Sequence, residues 1–218
     1  VGPNGCGKST IIRALSHVIS TQRGRMLLDG KDIASISRQE LARMLGVVPQ
    51  MPLLPSAFTA FEVVLMGRNP HLGLFQYEGR KELDIAWHAM EKTMTQHLAQ
   101  RRVGELSGGE IQSILIARVL AQETKAILLD EPTANLDPHG VKRFREFITE
   151  QRARGKTIIF STHLLTEAEQ LADRVGIFVN SRLVAQESIG GLRETFLANG
   201  TIEDMYLHYV GSYEHEHH

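Results

Sequence analysis

The chain has 218 residues, of which 42% are hydrophobic and 22% are charged, and its formal net charge is -1. This length can bury the core of one large domain, and the composition is that of an ordinary globular protein. The single cysteine excludes a disulfide within these residues and a cysteine-based metal site, and the balanced charge argues against a nucleic-acid partner. No apolar run approaches the roughly 20 residues that a membrane-spanning helix needs.

The first ten residues, VGPNGCGKST, contain a phosphate-binding pattern that leads into a helix. The pattern Gly-x-x-x-x-Gly-Lys-Ser runs from Gly2 to Ser9, and apolar residues at helical spacing continue as far as Ser20. The backbone N–H groups of such a loop are expected to form an anion-binding concavity at the helix N-terminus. We expect Lys8 to reach the outer phosphates and the Ser9 hydroxyl to bind Mg²⁺. The residues assigned here to nucleotide binding are Gly2, Asn4, Gly5, Cys6, Gly7, Lys8, Ser9 and Thr10.

The next segments alternate between strand and helix patterns before the composition changes. RMLLDG and GVVPQ read as strands, and SRQELARML between them begins with Ser37 and Glu40 at capping-box spacing. From Met51 to Arg102 strand signals are few, and TAFEVVLMG and KELDIAWHAMEKTM have helical periodicity. We therefore predict a helical subdomain over residues 51–102, inserted into a core formed by residues 1–50 and 103–190.

The alternation resumes after residue 110. IQSILIARVLAQ predicts a helix, AILLD and TIIFS predict buried strands, and a helix between them should open at Pro138 and close at Gly155. RVGIFVNSRLVAQ predicts a hairpin that turns at Asn180–Ser181. Residues 191–218 are expected to form a C-terminal helix and a disordered tail, and we interpret the His-rich end YEHEHH as part of that tail. The predicted fold class is α/β with a mostly parallel sheet.

Acidic and imidazole side chains follow two of these strands. AILLD ends in Asp130, which would lie beside the phosphate loop and hold Mg²⁺, and the adjacent Glu131 could polarise an attacking water. His163 follows TIIFST. Taken alone, an acidic pair after a strand can equally be a surface feature, and a lone histidine at a strand end is more often structural.

A further motif, LSGGEIQ at residues 106–112, precedes a helix and completes a recognisable order. With it, the whole chain resembles the nucleotide-binding subunit of ATP-binding cassette (ABC) transporters, which have the P-loop NTPase fold with an inserted helical subdomain. The matching motifs are the phosphate loop Gly2–Ser9, the Q-loop at Gln50, the signature Leu106–Glu110, the Walker B strand Ala126–Asp130 with Glu131, the D-loop ending at Asp137, and the switch histidine His163.

The resemblance implies a mechanism that needs two copies of the chain. Two subunits pair head to tail and enclose two ATP molecules, each between one phosphate loop and the other subunit's signature. Ser107, Gly108 and Gly109 would then bind the γ-phosphate of the partner's ATP, and Asp137 would reach across the interface. The catalytic residues that it implies are Glu131, His163 and Gln50. The implied Mg²⁺ contacts are Ser9, Gln50 and Asp130.

Two features depart from the family pattern. Family members have strands and an adenine-stacking aromatic residue before the phosphate loop, and neither is present here. We therefore expect a chain truncated at its N-terminus, which would bind ATP poorly. The second departure is Ser113, where the family usually has arginine, and we expect it to affect helix packing or local charge rather than activity.

The resemblance also implies an integral membrane permease, with this subunit held peripherally at the cytoplasmic face of the cell membrane. VVLMGRNPHLGLF and LAQRRVGELSGGE resemble importers of iron chelates and cobalamin, which can also use a solute-binding protein. PLLPSAFTAFEV, next to the Q-loop, is the expected docking segment for the permease. The C-terminal third instead resembles ATPases of drug or polysaccharide exporters. A non-transport ABC ATPase is a third alternative, although the coiled coils, second cassette and zinc-binding cysteines of those proteins are not found. The cargo and the direction of transport stay open.

Overall fold

The computed structural model describes residues 1–50, 52–73, 75–134 and 136–191 and six positions between 203 and 211. Two compact units divide them, one of Val1–Arg13 with the described residues from Ser161 onward, and one of Ala14–Phe160. The helices are α1 (Lys8–Leu15), α2 (Arg38–Met44), α3 (Ala60–Leu65), α4 (Arg80–Lys92), α5 (Gly108–Gln122), α6 (Pro138–Ala153) and α7 (Leu165–Leu171). The strands are β1 (Leu27–Leu28), β2 (Lys31–Asp32), β3 (Leu45–Val48), β4 (Ala126–Asp130), β5 (Thr157–Ser161), β6 (Arg174–Val179) and β7 (Arg182–Ser188). Four 3₁₀ segments are Ile33–Ser35, Met66–His71, Gln96–Leu98 and Val103–Glu105.

The larger unit is built on a sheet with the strand order β3-β4-β5. Strands β3 and β4 are parallel, with register pairs from Leu45 and Ala126 to Val48 and Leu129. Every residue of β4 is buried, as expected for an apolar strand inside a parallel sheet. The expectation that TIIFS is also buried is wrong, because Ile159 is 44% exposed. Strand β5 comes last in this strand order, so it is not enclosed between two others of the sheet as β4 is.

Helices α3, α4 and α5 pack around one apolar cluster in the same unit. Val63, Met90 and Ile114 are fully buried in it. Helix α3 begins with a capping box, in which Thr59 accepts from the backbone of Glu62 and the Glu62 carboxylate accepts from the backbone N–H of Thr59. Both predicted helices of this region are therefore confirmed, while the proposed subdomain limits of 51 and 102 stay a prediction.

In the smaller unit, β6 and β7 form the predicted hairpin. Asn180 and Ser181 make its turn with φ of 46° and 63°, the positive angles of a tight two-residue turn. Val1 lies alongside β6, because its terminal nitrogen donates to Gly176 O at 2.6 Å and its carbonyl accepts from the backbone N–H of Phe178 at 2.9 Å. These two bonds have the slanted pattern of parallel pairing. The predicted C-terminal helix and tail fall largely outside the described residues.

The starts of helices α2 and α6 agree with the sequence predictions, whereas the lengths of α1 and β1 do not. The Ser37 cap of α2 is confirmed, since its hydroxyl accepts from Glu40 N at 3.2 Å. Helix α6 begins at Pro138 and is followed by Gly155 with φ 76°, also as predicted. Helix α1 ends at Leu15 rather than at Ser20, and RMLLDG supplies only the two-residue strand β1 of a small hairpin with β2. Helix α7 was not predicted.

Candidate functional site

The loop between Val1 and α1 has the backbone geometry that a phosphate requires. Gly5 and Gly7 have φ of 82° and 95°, angles that favour glycine. A Cβ on Gly2 would lie 2.5 Å from the carbonyl oxygen of Phe178, so no larger residue fits there. The backbone N–H groups of Gly5 and Gly7 donate to no residue that the structure describes. These donors, next to the N-terminus of α1, match the chemistry of an anion site.

Lys8, the first residue of α1, lies over the same loop. Its ammonium donates to the carbonyl oxygens of Gly2 at 2.7 Å and Pro3 at 3.0 Å. The turn of the β6–β7 hairpin also supports the loop, because the Ser181 hydroxyl oxygen is 3.5 Å from the position that a Cβ on Gly7 would occupy. The predicted lysine is thus held against the carbonyl oxygens at the start of the loop.

The carboxyl ends of β3 and β4 bring three predicted residues to one edge of the sheet. Val48 pairs with Leu129, and two residues further along each strand lie Gln50 and Glu131. Gln50 is exposed, whereas Asp130 and Glu131 are buried, with exposures of 6% and 9%. Glu131 also has φ 46°, a left-handed conformation that costs a non-glycine residue about 1–3 kcal/mol. Strain of this size at a buried carboxylate is typical of functional sites.

The structure divides the predicted residues between its two units. Gln50, Asp130, Glu131 and the signature belong to the larger unit, whereas the phosphate loop and His163 belong to the smaller one. His163 follows the end of β5 at Ser161, and the Thr162 hydroxyl between them accepts from the backbone N–H of Leu164 at 3.0 Å. This turn at Thr162 directs the chain from β5 into α7.

The signature forms the N-terminus of α5. Ser107 caps the helix, its hydroxyl accepting from Glu110 N at 3.3 Å, and Glu110 Oε2 accepts from Ser107 N at 2.7 Å. Gly108 and Gly109 follow in the first turn, and their N–H groups have no acceptor in the described part of the chain. This capping box holds two donors open at the positive end of a 15-residue helix, a second anion-binding geometry.

Asp137 lies in the same cleft as the signature. This cleft has a volume of about 980 Å³, and the residues that line it include Ser107, Gly108, Gly109 and Asp137. The Asp137 carboxylate accepts from Gly140 N at 2.7 Å and so caps α6. The signature and Asp137 therefore line one cleft of the larger unit.

The electrostatics of the signature involve a residue that the sequence analysis did not identify. Arg101 Nη1 lies 3.1 Å from Glu110 Oε1, and its Nη2 donates to the carbonyl oxygen of Glu105 at 2.5 Å. The pKa of Glu110 is lowered, chiefly by the hydrogen bond from the Ser107 backbone and also by the nearby Arg101. The Ser-x-x-Glu spacing of residues 107–110 could have indicated the cap, but no sequence signal distinguishes Arg101 from a surface arginine.

A second unpredicted residue, Arg68, holds the other end of α5. Its side chain is buried, with Nη1 donating to Ala121 O at 2.6 Å and to Glu123 Oε2 at 2.9 Å. A buried arginine must be paired in this way, because an unpaired charge in the interior is strongly unfavourable. Arg68 thereby fixes the C-terminal turn of the helix that begins with the signature.

Among the described residues, no three His, Cys, Asp or Glu side chains are grouped so that they could hold a metal ion. In the same part of the chain, no helix has the length and apolarity to cross a membrane.

Comparisons with known proteins agree with this geometry. The sequence model of the family described as "ABC transporter" matches residues 1–134. The ferric enterobactin transport ATP-binding protein FepC of Escherichia coli (strain K12) is 38% identical over 187 residues, which cover 85% of this chain and 69% of that protein. The hemin import ATP-binding protein HmuV of Gloeobacter violaceus (strain ATCC 29082 / PCC 7421) is 41% identical over 192 residues, which cover 84% of this chain and 69% of that protein.

A solved structure also matches the fold. It is the dimeric structure of a post-hydrolysis state of the ATP-binding cassette MJ0796 bound to ADP and Pi. Its TM-score is 0.76 at 25% identity, and the match covers 86% of this chain and 83% of that one.

Proposed function

This chain belongs to the ABC transporter family as an ATP-hydrolysing, ATP-binding subunit, and we propose that it powers the import of iron chelates through a membrane permease. The observation that carries the import proposal is the similarity to the ATP-binding proteins FepC and HmuV, while the N–H donors at the phosphate loop and at the signature support ATP binding. The family prediction made from the ordered motifs is confirmed, as is the α/β P-loop fold.

In the proposed site, the phosphate loop binds the triphosphate of ATP together with Mg²⁺. The N–H groups of Gly5 and Gly7 and the ammonium of Lys8 would bind phosphate oxygens. Ser9, Gln50 and Asp130 would hold the cation, which is usually bound by one or two protein groups and by phosphates rather than by a cage of carboxylates. When bound, Mg²⁺ supplies charge neutralisation at the phosphates.

Hydrolysis is proposed to depend on three groups. Glu131, buried and held in its left-handed conformation, would accept a proton from the attacking water. Gln50 would orient the same water from the end of β3, and His163 would hold the γ-phosphate. The parallel register of β3 and β4, which places Gln50 and Glu131 at one sheet edge, supports the first two roles.

The proposed active form is a head-to-tail dimer. The N–H groups of Gly108 and Gly109 would bind the γ-phosphate of ATP held by a second copy of this chain, with Asp137 on the same surface. The dimeric structure of the similar cassette MJ0796, solved with ADP and Pi, supports dimer formation by this chain.

The proposed permease contact lies on the helices of the larger unit and places the subunit at the cytoplasmic face of the membrane. In the predicted docking segment Leu53 is 101% exposed and Phe58 37% exposed, whereas Val63 is buried in the core. Trp87 is 48% exposed and packs against Phe61 with ring centroids 5.9 Å apart. Exposed apolar and aromatic side chains of this kind mark protein interfaces. An external solute-binding protein would complete an importer.

The hydrolytic role is tested by Glu131→Gln. We expect ATP hydrolysis to fall by about 10²–10⁴-fold, the usual contribution of a general base, while ATP still binds and traps a dimer. Steady-state phosphate release and sedimentation with ATP measure the two effects. The matched control is Glu146→Gln, an exposed change on α6 that should alter neither. Normal hydrolysis by the Glu131 variant would contradict the assignment.

Transport is tested by identifying and reconstituting the partner. The protein is purified from gently solubilised membranes of its own host, and the co-purified permease is placed in proteoliposomes. Uptake of a ferric siderophore or hemin that requires ATP on the subunit's side and the solute-binding protein would support import. A permease without a binding protein that moves drugs or polysaccharide precursors outward would establish the exporter alternative. Recovery of no membrane protein would favour a non-transport ATPase.

A further inference from the structure

The side chain of Arg101 connects two parts of the signature. Its two terminal nitrogens contact the Glu110 carboxylate at 3.1 Å and the Glu105 carbonyl oxygen at 2.5 Å. Its backbone is held as well, because Arg101 O accepts from Ala60 N at 2.9 Å and Arg101 N donates to Leu98 O at 2.8 Å. The planar guanidinium thus contacts both groups at once, while 44% of the Arg101 side chain stays exposed.

Glu110 creates an electrostatic problem at the signature. Its carboxylate accepts from the backbone N–H of Ser107 at 2.7 Å, and this bond is the main cause of its lowered pKa. Glu110 is therefore ionised at neutral pH, in the same helical turn as the N–H groups of Gly108 and Gly109. A phosphate that approaches those N–H groups meets a negative charge, and like charges brought together at an interface oppose association.

We propose that Arg101 is a positioning residue and counter-ion that makes the signature able to accept the γ-phosphate of a second subunit's ATP. The Arg101 guanidinium neutralises the Glu110 carboxylate. The carboxylate can then accept the hydrogen bond from the backbone N–H of Ser107 without repelling the γ-phosphate. This inference rests on the proposed head-to-tail dimer. It concerns the signature, which acts on the partner's nucleotide, and predicts no effect on the phosphate loop of the same chain.

The neighbouring Arg102 provides a matched control. It is exposed and directly follows Arg101, yet its side chain forms no ion pair with any part of the chain that the structure describes. The two arginines therefore differ in their contact with Glu110 rather than in general charge. Replacing either by alanine changes the net charge equally.

The experiment compares dimer formation with nucleotide binding by the monomer. In the Glu131→Gln background, Arg101→Ala should raise the ATP concentration for half-maximal dimerisation by about tenfold or more in analytical ultracentrifugation. Binding of a fluorescent ATP analogue to dilute monomer should change less than about twofold, because the phosphate loop is intact. Arg102→Ala should leave both quantities within about twofold.

Charge neutralisation is distinguished from a merely structural role by a second substitution. Glutamine at position 110 keeps the capping box but removes the charge, so Arg101→Ala with Glu110→Gln should recover most of the lost dimerisation. Equal dimerisation by the parent and Arg101→Ala, or a double variant as defective as Arg101→Ala, would overturn the inference alone. A parent protein that stays monomeric with ATP would overturn the proposed dimer and this role with it.

Discussion

Replacing Gly67 by alanine should have two opposite effects on the free energy of unfolding. Gly67 lies in the 3₁₀ segment Met66–His71, is buried, and does not have a positive φ. Replacing glycine by alanine in such a backbone normally stabilises a protein by about 0.4–1 kcal/mol, because the unfolded chain loses conformational freedom. A Cβ at Gly67, however, would lie 2.3 Å from the carbonyl oxygen of Arg118 and 3.3 Å from the Cβ of Ala121. The steric clash with α5 should outweigh the entropic gain, so Gly67→Ala should destabilise the protein.

The size of the effect follows from these distances. Close C···O contacts in proteins are about 3.3 Å, so the 3₁₀ segment and α5 must separate by about 1 Å to admit the methyl group. Overpacking of this kind costs about 1–3 kcal/mol. With central values of about 2 kcal/mol for the overpacking and about 0.7 kcal/mol for the entropic gain, Gly67→Ala should lower the free energy of unfolding by about 1.3 kcal/mol. For a chain of this length, that corresponds to a fall in Tm of about 3–5 °C.

Urea unfolding followed by tryptophan fluorescence measures this change directly. Trp87 is the only tryptophan of the chain and lies on α4, which packs against α5 in the same apolar cluster. Gly73→Ala is the control, because Gly73 is exposed and the nearest atom to its Cβ would be the flexible end of Gln76 at 3.7 Å. Gly73→Ala should therefore show the entropic gain without the clash and raise the free energy of unfolding by about 0.4–1 kcal/mol, the opposite sign to Gly67→Ala. A Gly67→Ala protein as stable as the parent would refute the packing argument.

Two further predictions concern the loop and a helix cap. Gly7→Ala places a side chain at φ 95° beside Ser181 and should weaken nucleotide binding by about tenfold, equivalent to about 1.4 kcal/mol. Gly190→Ala is the control, because its Cβ would meet no atom within 4 Å and nucleotide binding should not change. Titration with a fluorescent ATP analogue measures both affinities. The pKa of Glu62 lies below its ordinary value, chiefly because the carboxylate accepts a hydrogen bond from the backbone N–H of Thr59 and also because of the Thr59 hydroxyl. The ionised carboxylate therefore stabilises the fold at pH values above its pKa in the unfolded chain. This stabilisation is lost as the pH falls through the lower pKa of the folded protein. Thermal unfolding between pH 7 and pH 3 should therefore show a shallower loss of stability below about pH 5 in Glu62→Gln than in the parent, and identical slopes would argue against the cap.

The sequence was most informative where one local interaction decides the structure. Ser37 and Glu40 identify the start of α2 because the cap involves only those two residues, and Asn180–Ser181 tolerate the positive φ of a hairpin turn. The ordered motifs were equally reliable for the family, since each needs a particular residue type for its chemistry. The same Ser-x-x-Glu logic also underlies the signature, where the helix start and the anion site coincide.

Tertiary contacts explain where the sequence was less informative. The apolar run TIIFS has no feature that reveals whether its strand is enclosed by neighbours, and Ile159 is half-exposed. Helical periodicity continued beyond Leu15, but the chain turns at His17, which has φ 56°. Arg68 directly follows the predicted helix TAFEVVLMG, and only the packing of the 3₁₀ segment Met66–His71 against α5 shows that it is buried.

The capping box fixes the local geometry of the signature, whereas its position also depends on how the other end of α5 is attached to its neighbours. At its last turn, Arg68 binds the Ala121 carbonyl, and the side-chain nitrogen of Gln122 donates to Ala42 O at 2.5 Å and Leu45 O at 3.2 Å. These bonds attach α5 both to the 3₁₀ segment and to the start of β3. Removing the Arg68 side chain would take this donor from the buried Ala121 carbonyl, at a cost of about 1–3 kcal/mol. Substitutions at Gly67 are far along the sequence from Ser107, yet they should change the position of the signature as well as the stability of the protein. Both depend on how α5 packs against the 3₁₀ segment.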